Sequence, residues 1–127
     1  MSALGLSVIS IVDDDESVRV ATKALLRSAG YDVETFASAE VFLESGALRE
    51  TECLILDVRM PGVDGLELQR RLNLAKSAVP IIFVTAHDDK AKQRTAIEAG
   101  AADFFHKPFK GDALLEAIQS ALKIREV

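Results

Sequence analysis

Cysteine is nearly missing from this sequence. Cys53 stands alone, so no intramolecular disulfide can form. It lies in the apolar run Cys53-Leu54-Ile55-Leu56, where a thiol packs as a small apolar group and stays inert. Long apolar runs are missing as well. No stretch approaches the ~20 residues that a membrane-spanning helix needs. The first basic residue is Arg19, too late for the charged start of a secretory leader. The expectation is a cytoplasmic protein without membrane attachment. Nor is there an excess of positive charge. With 20 acidic against 15 basic residues the net charge is −5, the wrong sign for holding a nucleic acid directly. Repeats and low-complexity stretches are lacking, and the only linker-like segment is residues 123–127.

What is present suits one domain, expected to span 1–127 with its core at about 8–122. The 127 residues are 49% hydrophobic, enough for a single core. Five apolar runs begin near Val8, Asp32, Glu52, Ile81 and Ala102, with helical spacing between them. Val18, Ala21, Leu25 and Ala29 form a stripe that stops at Gly30. Ser38 is placed to cap a short helix through Phe42 and Leu43, with Glu40 in its first turn. Leu66, Leu68 and Leu72 mark a third helix after the turn Pro61-Gly62-Val63-Asp64-Gly65. Ala91 to Ala99, closed by Gly100, gives a fourth with a thin apolar face of Ala91, Ala96, Ile97 and Ala99. Leu114, Leu115, Ile118 and Leu122 make the fifth.

Alternating strands and helices imply right-handed βαβ units and a parallel sheet. The runs Cys53–Leu56 and Ile81–Val84 are apolar on both faces, as interior strands are, whereas Asp32-Val33-Glu34-Thr35-Phe36 alternates like an edge strand. The expected fold is α/β: a doubly wound, five-stranded parallel sheet with helices on both faces.

Four of the runs end in polar residues: Asp13-Asp14-Asp15, Asp57, Thr85 and Lys107-Pro108. In a parallel sheet these groups emerge along one edge, where ligands of open α/β sheets bind. Asp15 is read as the cap of the next helix. One cap does not account for the remaining acids, and two carboxylates 5 Å apart repel by roughly 3 kcal/mol at an effective dielectric of 20. Lys107 supplies one positive charge, and a hard divalent cation with oxygen ligands would supply the rest. Three chemistries compete. A nucleotide or flavin site wants a Gly/Ser/Thr-rich loop after the first strand, and here that loop is acidic. A haloacid dehalogenase-type phosphatase needs an Asp two residues after the nucleophile, a position held by Arg59. In the third, an Asp is itself the phosphoryl acceptor.

Taken together, Ile11-Val12-Asp13-Asp14, Leu56-Asp57-Val58-Arg59-Met60-Pro61-Gly62-Val63-Asp64-Gly65, Val84-Thr85-Ala86 and Phe105-His106-Lys107-Pro108-Phe109 resemble the receiver domain of two-component response regulators. The likeness runs from about Val8 to Leu122. Phe36-Ala37-Ser38-Ala39-Glu40 and Gly100-Ala101-Ala102-Asp103-Phe104 are similar to the FixJ-like branch, whose members usually carry a C-terminal DNA-binding domain. The resemblance implies a flavodoxin-like strand order of 2-1-3-4-5. It implies that Asp57 accepts the phosphoryl group and that Asp13, Asp14, Asp57 and the backbone carbonyl of Arg59 hold Mg²⁺, or Mn²⁺ in its place. Lys107 would pair with the phosphoryl oxygens and Thr85 would hydrogen-bond the group once attached. Phe104 stands where the family often has Tyr, keeping the switching ring without its hydroxyl. Ala86 leaves the acceptor accessible, Arg59 and His87 flank the path of attacking water, and Lys107-Pro108 matches a cis peptide. The implied partners are a sensor histidine kinase or phosphotransfer protein and, after phosphorylation, a second copy of the chain. The implied role is that of a phosphoacceptor which assists its own phosphorylation and dephosphorylation, not of an enzyme acting on other molecules. The alternative is a degenerate receiver that binds partners without being phosphorylated.

Overall fold

The computed structural model describes residues 7–126. In chain order these form β1 (Val8–Val12), α1 (Glu16–Ser28), β2 (Asp32–Phe36), α2 (Ala39–Ser45), a 3-10 turn (Ala47–Arg49) and β3 (Cys53–Leu56). There follow α3 (Gly65–Leu74), β4 (Ile81–Thr85), α4 (Lys90–Glu98), β5 (Asp103–His106) and α5 (Gly111–Glu126). The strands are parallel and ordered β2-β1-β3-β4-β5, as expected.

Period-two alternation sends successive side chains to opposite faces, and here both faces are dry. Leu54 and Leu56 of β3 point into a core shared with Phe42 of α2, Leu68 and Leu72 of α3 and Ala96 of α4. Cys53 and Ile55 point the other way, into a core built with Leu26 of α1 and Leu114 and Ile118 of α5. Hence α2, α3 and α4 cover one face, and α1 and α5 the other. Each fully buried Leu or Ile contributes about 1.5–3 kcal/mol, so the central strands are the most firmly held part of the molecule. β2 alternates between exposed and buried residues at the sheet's edge. The cysteine is buried in this second core and forms no disulfide.

The structure corrects two sequence-based expectations. The core face of α1 is built on Thr22 and Leu26, with Val18 and Leu25 half-buried, while Ala21 and Ala29 are exposed. Ala and Thr are close enough in polarity that burial follows the neighbours, and Thr22 meets the sheet. On α4 only Ala96 is buried; Ile97 is 47% exposed, and Ala91 and Ala99 lie on the surface. Helix α5 runs through Glu126, and Val127 lies outside the described residues. Among the described residues no helix is long and apolar enough to cross a membrane.

Candidate functional site

The carboxyl end of the sheet gathers the polar groups. β1 delivers Asp13, whose backbone N–H donates to the Phe36 carbonyl at 3.1 Å. β3 delivers Asp57 in the same way, its N–H donating to the Val12 carbonyl at 3.0 Å. Among the described residues one trio of acidic groups could hold a metal ion. Asp13, Asp14 and Asp57 each offer a carboxylate oxygen, all within 4.8 Å of one another.

The three carboxylates are not equivalent. Asp13 is 3% exposed and well partnered. Its Oδ1 accepts from the Asp15 N–H at 2.9 Å, and its Oδ2 accepts from the Lys107 ammonium at 2.8 Å. Asp14 points into solvent. Asp57 is 8% exposed, and its Oδ1 is buried without a hydrogen-bond partner. Its Oδ2 lies 3.7 Å from the Lys107 ammonium. Burial first, and the negative charge of Asp13 second, push the Asp57 carboxyl up to about 6, against the pull of Lys107 and the Arg59 backbone amide. A single ammonium faces three acids, so the cluster carries uncompensated negative charge. A buried orphan oxygen among hard carboxylate donors fits a divalent cation such as Mg²⁺, which takes one or two carboxylates together with water and phosphate oxygens. Asp15 stands apart from this trio, as expected. Its Oδ1 accepts from Ser17 N–H at 2.9 Å and Val18 N–H at 3.4 Å, capping α1.

β4 ends at Thr85, which is 1% exposed. Its Oγ1 accepts from the His87 N–H at 3.2 Å, and its carbonyl accepts from the Lys107 N–H at 2.7 Å. The main chain of Lys107 is thereby tied to the end of β4, and the peptide to Pro108 is cis. Ala86 and His87 are exposed. Phe104 is half-buried on β5, its ring 5.8 Å from that of Phe83 and 5.5 Å from His106. The Arg59 side chain does not enter the cluster; its guanidinium lies 3.7 Å from Asp89 Oδ2.

Three neighbours of the site make contacts that the sequence does not disclose. Arg19 on α1 donates from Nη1 to the Asp13 carbonyl at 2.8 Å, steadying the loop that holds the acidic pair. Glu40, expected only to favour the start of α2, turns its Oε2 to the Val63 N–H at 3.3 Å and closes over Gly62. Gly62 has φ +75°, and a Cβ there would collide with the Glu40 carboxylate. Gly65 allows the closest approach of all, because a Cβ at that position would run into the Asp57 carbonyl oxygen. The third neighbour is Asp89, which caps α4 by accepting from the Lys92 N–H at 3.1 Å.

Comparison with known proteins agrees with this arrangement. The response regulator receiver domain family matches residues 9–119. The chain is 50% identical over 118 residues to the response regulator protein TodT of Pseudomonas putida, covering 93% of this chain and 52% of TodT. It is 40% identical over 118 residues to the transcriptional regulatory protein FixJ of Bradyrhizobium diazoefficiens, covering 93% of this chain and 58% of FixJ. The chain thus spans little more than half the length of these curated relatives. Among solved structures, that of the response regulator StyR superposes with a TM-score of 0.85 at 47% identity, covering 92% of this chain and 59% of StyR. FixJ-N superposes with a TM-score of 0.82 at 37% identity, covering 91% of this chain and 93% of FixJ-N. The chain belongs to the response regulator receiver domain family, with relatives in its FixJ-like branch.

Proposed function

We propose that this chain is a single receiver domain, cytoplasmic and with its core at about 8–122, that accepts a phosphoryl group from a sensor histidine kinase or phosphotransfer protein onto Asp57. One observation carries the reading. Asp57 ends the central strand as a buried carboxylate with an unpartnered oxygen, beside one ammonium and two further carboxylates. A carboxylate kept out of water and short of partners is a better nucleophile than a solvated one, provided its charge is balanced at the moment of reaction. The Asp57 carboxylate forms the bond to phosphorus while the bond from phosphorus to the donor's histidine nitrogen breaks, the nitrogen leaving with the electron pair. An acyl phosphate results.

Lys107, which already lies between Asp13 and Asp57, would follow the incoming phosphoryl oxygens, and the Thr85 hydroxyl would donate to them. Asp13, Asp14, Asp57 and the Arg59 carbonyl would hold Mg²⁺ (or Mn²⁺), which when bound supplies positive charge against the three acids and the phosphoryl oxygens. Such transfers are mostly positioning and charge stabilisation. Hydrolysis of the acyl phosphate would use the same groups, with Ala86 leaving room and Arg59 and His87 flanking the approach.

The attached group brings about −1.5 to −2 charge, taking other phosphorylated side chains as a guide. That charge favours Thr85 drawn inward, with the Phe104 ring following. The surface of α4 and β5 then changes and favours pairing with a second copy. An output such as transcription would belong to a further domain outside this sequence, since the acidic receiver itself suits no nucleic acid. The degenerate-receiver alternative is disfavoured by the complete set Asp13, Asp14, Asp57, Thr85 and Lys107. Incubation with acetyl phosphate tests the reading: one base-labile phosphoryl group should appear with Mg²⁺ and none in excess chelator. Uptake that ignores the chelator would refute it.

A further inference from the structure

Helix α4 is held differently at its two ends. Its one buried side chain is Ala96. Beside it α3 reaches across with two amide donors, Gln69 Nε2 to the Ala96 carbonyl and Asn73 Nδ2 to the Ala99 carbonyl, both at 2.9 Å. Gln69 is buried, so its bond is one that water does not contest, while the Asn73 bond lies at the surface. The first turn of α4 has no buried side chain, and Lys90, Ala91 and Arg94 face solvent. What holds it is Asp89. One carboxylate oxygen caps the helix through the Lys92 N–H at 3.1 Å, and the other lies 3.7 Å from the Arg59 guanidinium. Arg59 stands two residues after Asp57, and its backbone amide acts directly on the Asp57 carboxylate. One side chain thus joins the cap of the loosest helix to the loop that carries the acceptor.

We propose that Asp89 is a positioning residue for Arg59: it draws the guanidinium toward α4 in the unphosphorylated protein and yields it to the phosphoryl group on Asp57. The first turn of α4 then loses its tether to the acceptor loop while the Ala96 end stays clasped. This rests on Asp57 being the acceptor. An exposed ion pair at this separation is a weak contact, which is what an exchangeable one requires. The phosphoryl group outcompetes Asp89 because it carries more charge and offers three acceptor oxygens to a guanidinium fork that binds phosphate in bidentate fashion.

The test separates charge from capping. Asn caps a helix as well as Asp does, so Asp89→Asn keeps the cap and removes the counter-charge. In the unphosphorylated protein, hydrogen exchange at residues 90–94 should quicken by about 2- to 5-fold in Asp89→Asn, the range that an exposed ion pair supports. Exchange at 96–99 should not change, and the quickening should vanish in an Arg59→Gln background. Equal quickening in both backgrounds, or none, would overturn the pairing. For the exchange step, the Arg59 side-chain Nε resonance is followed on adding beryllofluoride, a phosphoryl mimic, with Mg²⁺. It should move in the parent chain and start displaced in Asp89→Asn. A still Arg59 signal alongside shifted backbone signals at residues 56–58 would refute the hand-over. Still signals at 56–58 as well would instead refute the acceptor reading, and the exchange cycle in the unphosphorylated protein would judge the Asp89–Arg59 contact on its own.

Discussion

In the metal-free protein at pH 8, Asp57→Asn should be more stable than the parent chain. The Asp57 carboxyl is raised from 3.8 to about 6, chiefly by burial and then by Asp13. A carboxyl pKa raised by one corresponds to about 1.4 kcal/mol, so a rise of about two amounts to about 3 kcal/mol at full ionisation. The folded protein holds this proton more tightly than the unfolded chain does. Its contribution to stability is therefore complete below 3.8 and is lost as pH rises through about 6. Asn is neutral throughout and is spared the loss. Urea unfolding of both proteins in EDTA, from pH 4 to pH 8, isolates the effect as a difference, because all other titrating groups are shared. The variant's advantage should be small at pH 4, grow through pH 5 to 6, and level off near 3 kcal/mol or somewhat below. Saturating Mg²⁺ should then stabilise the parent far more than the variant. An advantage that is constant with pH, or a variant less stable at pH 8, would refute the strained, uncompensated carboxylate.

The acids at the end of β1 should divide by role. Asp14→Asn should weaken Mg²⁺ binding by calorimetry without lowering metal-free stability, whereas Asp15→Ala should cost about 1 kcal/mol as a lost cap and leave Mg²⁺ affinity nearly unchanged. Gly65→Ala should destabilise by about 1–3 kcal/mol through collision with the Asp57 carbonyl, and should slow phosphorylation in the fraction that folds. Arg59→Ala and His87→Ala should each change the decay rate of phosphorylated protein, with faster decay expected where shielding is lost; unchanged decay in both would remove them from the path of water. Sedimentation should show a monomer that pairs on adding beryllofluoride with Mg²⁺, and an unchanged monomer would dispose of the α4–β5 pairing surface.

The strands and their ends were legible because β3 and β4 are buried on both faces, which compresses each into a short apolar run with an abrupt polar stop. Asp57, Thr85 and Lys107 announce themselves by standing at those stops. Caps were legible at Ser38 and Asp15 because the interaction is local, spanning two or three residues. What stayed hidden is long-range. Gln69 looks like a surface residue until the Ala96 carbonyl, 27 positions away, takes its amide proton. Glu40 reaches 23 positions to Val63, and no periodicity connects the two. The face of α1 was displaced by one residue because Ala21 and Thr22 differ too little for the sequence to choose between them. The pairing of Asp89 with Arg59 is not legible because it depends on a loop brought beside Asp89 only by the pairing of β3 with β4.

The destination of the phosphoryl group decides whether Asp57 is the acceptor. The parent chain, Asp57→Asn and Asp14→Asn are incubated with acetyl phosphate and Mg²⁺, and intact mass is followed by peptide mapping. The parent should gain a single base-labile phosphoryl group, mapped to the peptide containing Asp57. Asp57→Asn should gain none, and Asp14→Asn should take up the group more slowly. Equal labelling of Asp57→Asn, or an addition mapped to any other residue, would contradict the assignment.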